Sequence, residues 1–256
     1  MKEKKALRFI LIYVLSGAAF FALTMPFHRI LAVFTASEVR PSAVLYPFLG
    51  ISFGWPAALG IMTANFISDA VNGYPAAVLL EGIIPQLLYA MVPYYLWKGL
   101  MRGEDHVHRL DSTGRVLKFV LVCLSSAVLG ALGVGLIVHI NFGADFLSSS
   151  LFVLMNNFLI SVILGCPFMV ASNQIISRRS GTSRILTRNE VIILITAAVQ
   201  VVAMTVLVIA IQNSGKTIGT YDTWNTIYFL ALAINYPIML LSLVCMAAYG
   251  KTDRAE

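Results

Sequence analysis

Charge is what this sequence has least of. Only 12% of its 256 residues are Asp, Glu, Lys or Arg, while 59% are hydrophobic and the mean hydropathy is +0.83. An ordinary soluble domain carries about 25% charged residues, so a water-soluble globular protein is excluded and an integral membrane protein is indicated. Cysteine is scarce too. Cys123, Cys166 and Cys245 each lie inside an apolar run, with neither metal-ligand spacing nor close pairing. They read as small packing residues, and neither a disulfide nor a bound metal is expected. The phosphate-binding pattern G-x-x-x-x-G-K-[ST] is missing, as are H-E-x-x-H, G-x-S-x-G and C-x-x-C. The chain therefore does not power itself with nucleotide, nothing argues for an enzyme, and no cofactor is expected. His106 and His108, near Glu104 and Asp105, read as a solvated polar loop. The net charge of +6 would suggest nucleic acid if the basic residues shared one face. They sit instead in short loops between apolar runs, so no nucleic-acid partner is expected.

What is present is a series of eight apolar segments, at about 9–25, 42–53, 56–72, 76–97, 118–140, 149–174, 189–211 and 225–249. They are continuous rather than alternating, which predicts an all-α bundle and not a strand barrel. The first follows a basic start but ends at Met25-Pro26-Phe27 without a small-residue cleavage site, so it is taken as a retained helix. Fifteen of the eighteen Lys and Arg residues fall on one side of this series. They are Lys2, Lys4, Lys5 and Arg8; Lys98, Arg102, Arg109, Arg115 and Lys118; Arg178, Arg179, Arg184 and Arg188; and Lys251 and Arg254. Arg29, Arg40 and Lys216 fall on the other. The positive-inside rule then puts both termini in the cytoplasm. This works only if the second and third segments form a hairpin that returns to the side it left.

That hairpin runs from Arg40 to Asp69. A first arm of about 12 residues covers about 18 Å as a helix, short of a hydrocarbon core of about 30 Å. The turn is placed at Gly54-Trp55-Pro56, and Pro47 and Pro56 release backbone carbonyls that need new partners. Broken helices of this kind mark binding sites in transporters. Polar residues gather toward the same end of the segments. Asn65 and Asp69 share a helix face at a spacing of four; Glu81 and Gln86 lie in the fourth segment with Pro85 and Pro93; Asn156 and Asn157 lie in the sixth; Asn235 lies in the eighth. Intramembrane polar groups of this kind face a bundle interior or water, and their convergence is what a small-molecule pocket needs. Arg29 and Arg40 are the cations near them. Arg40, Asn65, Asp69, Glu81, Gln86 and Asn156 are the candidate substrate-binding residues. Two stripes of small residues, Ala18 with Ala22 and Ala127, Ala131 and Gly135 with Gly130 and Gly133, suit close helix packing. Packing within the chain is the default for both, and a docking face for another membrane protein the sharper alternative.

Taken together, Arg40-Pro41, Pro47, the run from Gly50 through Phe53-Gly54-Trp55-Pro56 to Gly60, and Asn65 with Asp69 resemble the second and third helices of the substrate-binding S components of energy-coupling-factor vitamin transporters. Ala18-x-x-x-Ala22 is similar to the stripe with which S components dock on a transmembrane coupling subunit. The same pattern, with Asn156-Asn157, Gly165 and Pro167, also resembles the membrane region of certain bacterial signalling phosphatases, although no phosphatase domain is present. The resemblance covers about residues 9–175, and a helix pair at about 189–249 is additional, all within one membrane domain spanning 1–256. It implies a pocket on the extracytoplasmic side, a lid from Pro26 to Val39, a vitamin-like metabolite as substrate, and separate ATPases and a coupling subunit as the energy source. The alternative it implies is a sensor or scaffold that binds without transporting.

Overall fold

The computed structural model describes residues 2–27, 32–34, 37–38, 40–101, 109–179, 188, 190–195, 198–199 and 202, with side chains at 3–26, 40–101, 109–173 and the last scattered positions. Among the described residues, the helices named in chain order are α1 (Lys2–Thr24), α2 (Leu45–Phe53), α3 (Trp55–Val71), α4 (Ala76–Leu100), α5 (Thr113–Phe142) and α6 (Phe146–Arg179). They coincide with the first six expected segments. Of the remaining two, 189–211 is described only in part and 225–249 lies outside the described residues, as do Arg29, His106, His108, Asn235 and Cys245. Helices α1, α4, α5 and α6 each contain a stretch long and apolar enough to cross a membrane. Helix α1 starts well before the apolar run at Phe9 because Lys4, Lys5 and Arg8 are good helix formers that hydropathy alone overlooks. One further element was not expected: a short antiparallel ribbon of β1 (Ala32–Phe34) and β2 (Ser37–Glu38) between α1 and α2.

The hairpin forms as expected, with a tighter turn. A 3-10 turn, Pro41–Val44, leads into α2, and proline at its first position supplies the helical φ in advance. Helix α2 ends on Gly54, with φ 63° and ψ −134°. A side chain would be strained there, and glycine is not. The Gly54 N–H donates to the Gly50 carbonyl at 2.8 Å, and the Ala58 N–H already donates to the Gly54 carbonyl at 3.0 Å. One residue thus reverses the chain, and Trp55 and Pro56 are the first residues of α3 rather than part of the turn.

The chain divides into two compact units: Met1–His106 with Val120–Val162, and Val107–Phe119 with Ile163–Glu256. In the first, α1 packs on α3 and α2 on α4. Both crossings depend on glycine. A Cβ on Gly60 would run into the Tyr13 carbonyl oxygen of α1, and one on Gly50 into the Ala90 carbonyl of α4. Tyr13 adds a hydrogen bond to Thr63 Oγ1 at 3.0 Å across the α1–α3 contact. The described part of the second unit includes the ion pair Arg115–Asp111 at 3.0 Å, one helical turn apart, and a fully buried Asn173.

The prolines explain two buried serines. Pro47 has no N–H for the carbonyl of Ala43, four residues back, and Ser161 Oγ donates to that carbonyl at 3.2 Å. Pro93 likewise cannot serve the carbonyl of Tyr89, and Ser126 Oγ donates to it at 2.6 Å. In hydrocarbon an unpaired carbonyl costs several kcal/mol, so each serine offsets a bond that a proline removed. Cys123 and Cys166 are both buried, as packing residues should be.

Candidate functional site

The site lies in the first unit, at the end where α3 gives way to α4. Arg40 sits just before the hairpin, in extended backbone that precedes Pro41. Its Nη1 donates to Asn65 Oδ1 at 2.9 Å and its Nη2 to Asp69 Oδ1 at 3.2 Å. Asn65 Nδ2 donates to Asp69 Oδ2 at 2.7 Å, closing a triangle. The helix makes this possible, because a spacing of four stacks Asn65 and Asp69 on the face of α3 that meets Arg40. Asn65 is 3% exposed, and the side chains of Arg40 and Asp69 are 23% and 16% exposed. Asn65 is therefore the hidden corner, and the two charges are the corners turned toward the cavity.

That cavity encloses about 100 Å³ and is lined by Arg40, Tyr46, Asp69, Tyr74, Gln86, Tyr89, Asn156 and Asn157, with apolar residues of α4 and α5 completing it. The Tyr46 hydroxyl donates to Gln86 Oε1. Tyr46 and Tyr89 stack at 4.1 Å with their planes 22° apart, and Phe20 meets Tyr46 edge-on at 5.2 Å. Tyr89 is anchored beneath the cavity: its hydroxyl lies 3.3 Å from Ser161 Oγ, the same hydroxyl that serves the Ala43 carbonyl. Gly130 makes room for the Tyr89 ring, which sits where a Cβ at that position would be crowded. The wall so built carries one cation, one carboxylate and three side-chain amides around tyrosine rings. Such a wall suits a small, flat, polar molecule.

Four of the six candidate residues line the cavity: Arg40, Asp69, Gln86 and Asn156. Asn65 stands behind them and holds both charged groups. Glu81 is apart: it faces out from α4 and accepts from Asn141 Nδ2 at 2.7 Å in an exposed pair. His139 is likewise at the rim, with Nδ1 2.7 Å from the Ala144 carbonyl. Sequence reasoning missed Tyr46, Tyr74 and Tyr89. A usable signal existed for Tyr89, which follows Gln86 by three residues and so shares its helix face.

The sequence matches the family described as QueT transporter over residues 10–174. The chain belongs to the QueT transporter family. The QueT match spans α1 through most of α6, and with it the whole cavity, and it identifies an S component of the energy-coupling-factor type and a membrane transport protein. No curated protein and no solved structure matched the chain.

The two small-residue stripes part company. In α5, Ala127 and Ala131 are buried, and Gly135 leaves the space that the Ser150 hydroxyl fills. In α1, Ala18 and Ala22 are exposed, and Gly17 makes the close approach to Gly60 instead.

Proposed function

We propose that this chain captures a queuosine precursor, a nucleobase-like heterocycle, from the extracytoplasmic side and presents it to separate energising subunits. The observation that carries the reading is the cavity of the QueT-matched region, which joins the Arg40–Asp69 pair to Gln86, Asn156 and tyrosine walls. A flat heterocycle fits tyrosine walls edgewise or by stacking, and its ring N–H and carbonyl groups match a wall of amides, carboxylate and guanidinium. In this reading Arg40, Asp69, Gln86 and Asn156 contact the substrate. Asn65 positions two of them, and Glu81 lies at the mouth. Both termini are cytoplasmic, in keeping with the distribution of Lys and Arg. The lid expected from Pro26 to Val39 lies in part outside the described residues.

Energy comes from ATPases through a transmembrane coupling subunit, which docks on the exposed Ala18–Ala22 stripe of α1. Purified protein offered a panel of vitamins and nucleobase precursors should retain a queuosine precursor, and retention of none of them would overturn the substrate assignment. Liposomes holding this chain alone should accumulate nothing until the coupling subunit and ATPases are added with ATP. Uptake by the chain alone would show a self-sufficient carrier.

A further inference from the structure

At the opposite end of the first unit from the cavity, the N-terminal turns of α1 and the Gly54 turn of the hairpin enclose a second concave surface. It measures about 270 Å³ and is lined by Lys5, Arg8, Phe9, Ile12, Ser52, Phe53 and Pro56. Two of these residues are cations, none is a carboxylate, and four are apolar. Lys5 and Arg8 are three apart on α1, so they overhang the same face. Ser52 Oγ donates to the Phe48 carbonyl at 2.7 Å, which leaves the two cations as the groove's donors to an anion.

The groove sits among residues suited to a membrane–water boundary. Trp55 Nε1 donates to the Tyr95 hydroxyl at 3.1 Å, and Lys98 Nζ lies 5.9 Å over the Tyr94 ring, itself packed against Gly54. Tryptophan and tyrosine concentrate at that boundary. Beyond the groove α1 presents Leu7, Leu11, Val14 and Leu15 to its surroundings. This lining offers Lys5 and Arg8 to a polar anionic head and Phe9, Ile12 and Phe53 to an acyl chain attached to it.

We infer that this groove binds an anionic phospholipid of the leaflet surrounding the N-terminal end of α1, with the phosphate held between Lys5 and Arg8. Charge complementarity and the continuous apolar floor single out a lipid over a free anion, which would leave the floor unused. A neutral-headed lipid would leave the two cations unmatched.

The test uses the full chain in a zwitterionic detergent, titrated with phosphatidylglycerol or phosphatidylcholine, with bound lipid counted by native mass spectrometry. Phosphatidylglycerol should bind at least about tenfold more tightly, and raising the salt concentration should weaken it selectively. The double substitution Lys5→Gln and Arg8→Gln should weaken phosphatidylglycerol by about thirtyfold, from the usual contribution of a basic residue near an anionic surface. Lys98→Gln, which removes a cation of the same belt outside the groove, should change it by less than about twofold, within the range of exposed charges. Inorganic phosphate should not displace the lipid. The inference is overturned by equal affinity for the two lipids, by equal loss in the Lys98 variant, or by displacement with phosphate alone, which would mark a simple anion site. The salt dependence of the unaltered chain decides the matter even if the double variant is obtained in low yield.

Discussion

Asp69 and Glu81 look alike in the sequence: two carboxylates, twelve residues apart, near the same end of neighbouring apolar segments. The structure treats them differently. Both oxygens of Asp69 accept hydrogen bonds, one from Arg40 and one from Asn65, and the carboxylate faces the cavity. Among the described residues, Glu81 meets the amide of Asn141 at an exposed position. What separates them is the neighbour. Helix α3 supplies its own amide four residues before Asp69 and packs beside the start of the hairpin, where Arg40 waits. Helix α4 turns Glu81 away from all of this, and Pro85 and Gln86 take the inward face.

The comparison can be broken most directly at Asp69. Asp69→Ala removes the carboxylate that pairs with Arg40 and should weaken binding of the retained metabolite by about tenfold to a hundredfold, the range of one charge-assisted hydrogen bond. Equilibrium titration of the purified variant measures this, and unchanged affinity would take Asp69 out of the site. Asn65→Ala should come next. It lowers stability by about 1–3 kcal/mol by removing the hydrogen bonds that the buried Asn65 makes to Arg40 and Asp69, seen as a lower thermal midpoint, and it reduces affinity by less than Asp69→Ala because it acts through Arg40 and Asp69. Glu81→Gln keeps the acceptor for Asn141 and should alter stability by less than about 0.5 kcal/mol, as exposed substitutions do. A loss of affinity matching that of Asp69→Ala would erase the distinction between the two carboxylates.

A third carboxylate sharpens the contrast at the smallest scale. Asp145 precedes α6 and accepts from the Ser148 backbone N–H at 2.7 Å, a helix cap that holds its pKa below the ordinary carboxylate value. A lowered folded pKa makes the cap's contribution complete above the ordinary value and lost as the pH falls through the lower one. Amide-exchange protection at the first turn of α6, corrected for the intrinsic pH dependence of exchange, should therefore fall on acidification, and in Asp145→Ala it should be low throughout.

Helix positions and the hairpin were legible because they rest on local rules: an apolar run, a proline that starts a helix, a glycine that alone tolerates the turn. The Asn65–Asp69 pair was legible for the same reason, being a matter of helical spacing. Tyr46 and Tyr89 were not. They lie 43 positions apart, and their stacking depends on how closely Gly50 lets α2 approach α4. The fate of the two stripes was equally hidden. Small residues permit a close approach without saying which helix makes it, and α1 uses Gly17 where Ala18 and Ala22 looked equally suitable.

The serine–proline pairs bear on history as well as geometry. Pro47 with Ser161, and Pro93 with Ser126, each consist of a missing donor and its replacement. Losing the serine first strands a carbonyl in hydrocarbon, whereas losing the proline first restores the helix's own N–H and makes the serine dispensable. Ser161→Ala should therefore be more damaging alone than in a Pro47→Ala background, and a double-mutant cycle would read the difference directly. A lineage of this protein could shed both features, but only in one order.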